Sequence, residues 1–109
     1  MTLENQQQAF SLDVAKLILF IYNKNFSVIM GGAHRIKDHD CLKGINIKNS
    51  QHAKHLAIDL IICSPLAFEL NTAKDYQPFG HYWEDLDPFN MWGGAFARGD
   101  IFHFERRET

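Results

Sequence analysis

The sequence predicts an α+β fold in which a small antiparallel sheet carries flanking helices. Two stretches, 11–22 and 79–86, repeat apolar residues at helical spacing. Three short runs, 26–30, 56–62 and 101–105, either alternate in polarity or are almost continuously apolar, as strands do. Helices and strands also mix without the regular alternation that a doubly wound parallel sheet requires.

Taken in order, Ser11 is a helix-capping residue, and Leu12, Ala15, Ile18, Leu19 and Tyr22 follow at helical spacing until Asn23-Lys24-Asn25 ends the pattern. Phe26, Val28 and Met30 share one face of an extended run that stops at Gly31-Gly32. Residues 38–43 suit a short helical turn anchored by Leu42 and closed by Gly44. The run 56–62 reads as a buried strand interrupted by one charge, Asp59. A second helix is predicted from Phe79, Tyr82, Trp83 and Leu86, closed by Asp87-Pro88, and Met91-Trp92-Gly93-Gly94 reads as a tight aromatic turn. A last strand at 101–105 puts Ile101, His103 and Glu105 on one face. These elements suit one compact domain spanning 1–109, with no repeat, linker or low-complexity segment.

Composition removes several classes of function. The chain is 46% hydrophobic, enough for a core. It has 11 Lys and Arg against 13 Asp and Glu, with no basic stripe, so nucleic acid is not an expected partner. The most apolar stretch, 14–22, contains Lys16 and is shorter than the ~20 residues of a bilayer span, so no membrane insertion is expected. Residues 1–10 lack a basic region followed by an apolar block, and we expect a cytoplasmic protein unless another factor releases it. Cys41 and Cys63 form no metal or redox spacing and are expected reduced and buried, a disulfide between them being the alternative.

Asp59 carries the chemical argument. A carboxylate inside an apolar strand costs several kcal/mol unless a cation, a metal or a dense set of hydrogen bonds compensates it. A catalytic zinc takes three ligands of imidazole and carboxylate type and keeps an open position, and His52, Asp59 and His103 supply that set. The ion polarises a scissile carbonyl and acidifies bound water, and a nearby carboxylate must still take the proton. Asp100, three residues before His103, is the candidate base; its alternative role is to end the turn after Gly99. Glu105 is placed to orient a ligand, given its closeness to His103. Trp92 is a core aromatic or a wall of the cleft. His34, His39 and His81 have no partner spacing and are read as solvated or hydrogen-bonded surface residues.

The segment 50–59 and the pair Asp100, His103 resemble the zinc metallopeptidase family of D-alanyl-D-alanine carboxypeptidases and L-alanyl-D-glutamate endopeptidases, which shares its fold with the hedgehog signalling domain. The family pattern Ser-x-His-x-x-Gly-x-Ala-x-Asp is met at Ser50, His52, Ala57 and Asp59, and its downstream Asp or Glu-x-x-His at Asp100 and His103. Trp92-Gly93-Gly94 followed by His103-Phe104-Glu105 looks most like the phage endolysin branch. The resemblance spans about 35–105 and implies a hedgehog/DD-peptidase-like fold, a Zn2+ cofactor, and peptidoglycan stem peptides cut at the L-alanyl-D-glutamate bond by a monomer. It further implies that Arg35 contacts the substrate or its developing oxyanion, a surface ion pair being the alternative. A lysis protein of this kind waits in the cytoplasm and acts on the cell wall once the membrane is opened.

His55 stands where the family has Gly, so it contacts substrate, replaces a ligand or only fills space. Two further readings stand beside the endopeptidase. One is a D-alanyl-D-alanine carboxypeptidase or dipeptidase. The other is a catalytically silent zinc domain that binds cell wall or a partner protein.

Overall fold

The structure is a computed structural model, and it describes residues 1–31, 54–66, 68–96 and 99–108. Helix α1 (Leu3–Asn23) leads into strand β1 (Ser27–Met30), followed after the undescribed stretch by β2 (Ala57–Cys63). Helix α2 (Ala73–Leu86), strand β3 (Asn90–Trp92), a 3-10 turn (Gly93–Ala95) and strand β4 (His103–Arg106) complete the order. The four strands are antiparallel in the order β1-β2-β4-β3. The predicted α+β class with a small antiparallel sheet is therefore what forms.

The predicted helix at 11–22 exists but begins eight residues earlier. Thr2, not Ser11, caps it, its side chain accepting from the Asn5 amide at 3.1 Å. Ser11 lies mid-helix and donates to the Gln8 carbonyl instead. The buried stripe also differs from the predicted one: Phe10, Val14, Leu17 and Ile21 face the core, while Leu12, Leu19 and Tyr22 are exposed. Both sets satisfy helical spacing, and only the position of the sheet decides between them.

Helix α2 also starts earlier than its apolar pattern, because Thr72 caps it on the Asp75 amide at 3.2 Å and Tyr76 belongs to its buried face. It ends at Asp87, as predicted. Met91 and Trp92 are strand rather than turn, since they pair with Glu105 and Phe104, and the turn begins only at Gly93. The last strand begins at His103 rather than Ile101, which lies with Phe102 in the preceding turn.

Even-numbered residues of β2 face the helices: Leu60 and Ile62 are fully buried in a cluster with Leu17, Ile21, Tyr76, Phe79, Trp83 and Phe104, and Ile58 packs against it. Each such side chain contributes about 1.5–3 kcal/mol on leaving water. Polar ties fix the helices to the sheet. The Tyr76 hydroxyl accepts from the Ile62 amide at 2.8 Å, and the Trp83 indole donates to the Glu105 carbonyl at 3.0 Å. Asn90 joins α1, α2 and β3, its amide donating to Asp13 and to the Trp83 carbonyl. The odd positions, Asp59 among them, therefore turn to the opposite face of the sheet. Cys63 is free and buried, as expected; Cys41 and the predicted turn at 38–43 lie outside the described residues.

Candidate metal centre

Asp59 and His103 are direct partners across the β2–β4 ladder, and Ala57 pairs with Glu105 two positions along. Cross-strand partners hold their β-carbons about 4.5–5.5 Å apart, so this register alone forces Asp59, His103 and Glu105 into one cluster on one face. All three are under a tenth exposed. The buried carboxylate therefore has the cationic surroundings that its place in an apolar strand demanded.

Each ring nitrogen of His103 has its own carboxylate. Nδ1 stands 3.4 Å from Asp59 Oδ1, and Nε2 stands 2.7 Å from Glu105 Oε1. Burial pulls the imidazole pKa down, but the contacts with Asp59 and Glu105 outweigh it and raise the value to about 9. Burial likewise raises the Glu105 carboxyl, and His103 and Arg107 more than reverse this and hold it below its ordinary value.

Asp100 completes the cluster from the loop between the 3-10 turn and β4. One ligand atom from each of Asp59, Asp100 and His103 lies within 4.8 Å of the others, so this group could hold a metal ion. The donor chemistry and spacing fit one: two donors on a tetrahedral ion with bonds of about 2.0–2.1 Å stand about 3.3 Å apart. The Nδ1 to Oδ1 distance of 3.4 Å matches that separation and is long for a charge-assisted hydrogen bond. An ion held by Nδ1 would leave Nε2 to donate to Glu105, an arrangement that fixes ring orientation at many metal sites.

The loop is held tightly. The Asp100 amide donates to the Gly93 carbonyl at 2.9 Å, and the His103 amide to the Asp100 carbonyl at 3.2 Å. A β-carbon on Gly93 would sit 2.1 Å from the Asp100 carbonyl oxygen and 2.9 Å from the His103 β-carbon, so glycine permits this approach. Trp92 is buried, its indole ring filling the space left by Gly80 and Gly94 and donating to the Ile101 carbonyl at 2.8 Å. It thus braces the segment between Asp100 and His103 from the core side.

His55 occupies an exposed turn with φ of 57°, the left-handed region where glycine is ordinarily found. Strand β2 begins only at Ala57, two residues after His55. The turn is tied to α1, where Gln7 donates to the Lys54 carbonyl at 2.8 Å. His55 is not part of the metal-capable group found among the described residues.

His52, Ser50 and Arg35 lie outside the described residues, as do His34 and His39. His81 is exposed on α2. Two contributors were not singled out from sequence, Phe96 and Arg107, and Gly93 was read only as part of a turn and of the family signature. Phe96 lies 5.6 Å from the His103 ring, and Arg107 pairs with Glu105. Arg107 had a readable signal, since 103, 105 and 107 share one face of an extended strand. Phe96 had none, and nothing announced the approach of Gly93 to Asp100, because a loop folding back on a strand leaves no local periodicity. No family model and no curated protein sequence matches the chain. Among the described residues no helix is long and apolar enough to cross a membrane.

Proposed function

We propose that the chain is a zinc-dependent peptidoglycan endopeptidase of the endolysin type, cleaving the L-alanyl-D-glutamate bond of stem peptides. The observation that carries this reading is the convergence of Asp59, Asp100 and His103 on one point beside a loop. In this reading Asp59 and His103 are ligands, together with His52 from outside the described residues. When bound, the zinc ion supplies Lewis acidity toward a carbonyl oxygen and a lowered pKa for water.

The chain's own residues divide the remaining work. Glu105 accepts a hydrogen bond from the His103 Nε2–H and so leaves Nδ1 free to ligate. Asp100, from the loop rather than the sheet, is half-buried, and it takes a proton at its carboxylate and returns it to the leaving amine. Arg35 binds a substrate carboxylate or the developing oxyanion. His55 holds a left-handed turn, a conformation open to the glycine that stands at this place in the family pattern.

Metal analysis of the purified protein, with mass spectrometry of digested peptidoglycan, tests the reading. About one zinc per chain and stem peptides released at L-alanyl-D-glutamate are expected. Loss of terminal D-alanine alone would assign the carboxypeptidase instead. A zinc-loaded protein with no product would assign the silent domain, and a protein that takes up no zinc would remove the proposal.

A further inference from the structure

Beyond the group that could hold the ion, one cation reaches it at second hand. Arg107 follows β4 directly, and its backbone amide donates to the Phe89 carbonyl at 2.7 Å, which fixes where its side chain begins. Its guanidinium makes two contacts. Nε pairs with Glu105 Oε2, the carboxylate oxygen that His103 does not use. The guanidinium carbon also lies over the Phe96 ring, 5.5 Å from its centre, and Phe96 in turn stands 5.6 Å from the His103 ring.

These contacts converge on one imidazole by two routes. Glu105 is buried, and each of its oxygens has a different cationic or N–H partner, so its carboxylate plane is set from both ends. Phe96 limits the imidazole from the side. A planar guanidinium can donate to a carboxylate while lying on an aromatic ring; a lysine ammonium cannot do both in this way. The geometry points to Arg107 as a positioning residue for the metal ligand His103, acting through Glu105 and Phe96. The inference rests on the metal-centre reading above and adds to it a residue that touches neither ion nor substrate.

Charge and positioning give opposite signs, which makes the inference testable. Arg107 is a positive charge near a cation site, so by Coulomb's law alone its removal would tighten metal binding. As a brace, its removal should loosen binding, because losing the outer partners of a ligating histidine typically costs about 10–100-fold in affinity.

The test is Zn2+ affinity, measured by competition with a chelator, for the wild type, Arg107→Ala, Arg107→Lys, Glu105→Ala and the double variant. The thermal midpoint of each metal-free protein is recorded alongside. Arg107 is half-exposed, so folding should survive its replacement. Arg107→Ala should bind zinc about tenfold more weakly. Arg107→Lys, which keeps the charge and loses the planar fork, should fall between it and the wild type. In the Glu105→Ala background, adding Arg107→Ala should change affinity by no more than about twofold, as coupled residues do. Equal or tighter binding by Arg107→Ala, a fully wild-type Arg107→Lys, or independent additive losses would each overturn the positioning role. Should Arg107→Ala not fold, the lysine variant alone still decides between charge and geometry. A wild type that binds no zinc would instead fail the metal-centre reading, and this inference with it.

Discussion

His103 on β4 faces Asp59 on β2 across the ladder, with Nδ1 3.4 Å from Oδ1, while its Nε2 is held by Glu105. The imidazole is thus clamped between two carboxylates, and without metal it keeps its proton up to about pH 9. The folded value lies above the unfolded reference of about 6.5, so protonation stabilises the fold. That contribution is fully present below about pH 6.5 and is lost as pH rises through about 9.

Metal uptake must displace this proton, so affinity should rise with pH. Between about pH 6.5 and about 9 the gain should approach tenfold per pH unit from His103 alone, then level off. Metal affinity across that window and the thermal midpoint of the metal-free protein check both halves. The first should climb as the second falls. A flat affinity profile would show that His103 is not a ligand.

Asp100→Asn should keep metal and lower turnover by about 100-fold or more, because general-base catalysis contributes roughly 10²–10⁴-fold. His103→Ala should lose the metal itself, since it removes a donor from the buried strand pair. Zinc content and peptide cleavage measured on both variants separate the two roles. Near-normal turnover in Asp100→Asn would transfer the proton to another group.

How much of this was legible in the sequence depends on the scale at which each feature is fixed. Asp59 could be read as needing a cation because one charge in an apolar strand is a local contradiction, and its partner His103 sits across the ladder. The same-face relation of His103 and Glu105 followed from strand alternation alone. The helix face was not legible: Leu12 and Leu19 satisfy helical spacing as well as Val14 and Leu17, and the choice was made by the sheet. Neither was the length of α1, because the capping signal of Thr2 lies ahead of a polar first turn, Glu4 to Gln8. The approach of Gly93 to Asp100 is a tertiary event with no periodicity to announce it.

Gly93→Ala should be among the most damaging conservative changes near the site. Its methyl group would stand 2.1 Å from the Asp100 carbonyl oxygen, and the contact is with backbone, which cannot swing aside. Overpacking of this kind costs about 1–3 kcal/mol, and the loop must move to relieve it. Both a lower thermal midpoint and weaker metal binding are expected. Gly99→Ala is the comparison: among the described residues nothing lies within 4 Å of its β-carbon, but its φ of 64° strains any L side chain. It should lower stability by about 1 kcal/mol and leave metal affinity unchanged. A Gly93→Ala protein with normal stability and metal binding would mean that the loop is not held as described.

His55 gives the last prediction, because the structure separates its backbone from its side chain. The backbone is left-handed at φ of 57°, a conformation that costs a side chain about 1–2 kcal/mol relative to the right-handed region. Glycine adopts it without that penalty but loses more entropy on folding, so His55→Gly should change stability by less than about 1 kcal/mol, on the favourable side. The imidazole is exposed and outside the metal-capable group, so zinc content should not change. Activity on peptidoglycan should be equal or higher, since the turn that precedes β2 would be kept. Three measurements on one variant pair suffice: zinc per chain, thermal midpoint and cleavage rate. A loss of zinc on His55→Gly would make the histidine a ligand after all. An inactive wild type rescued by the substitution would mean that His55 blocks the site, and the chain would then be a zinc domain that has given up catalysis.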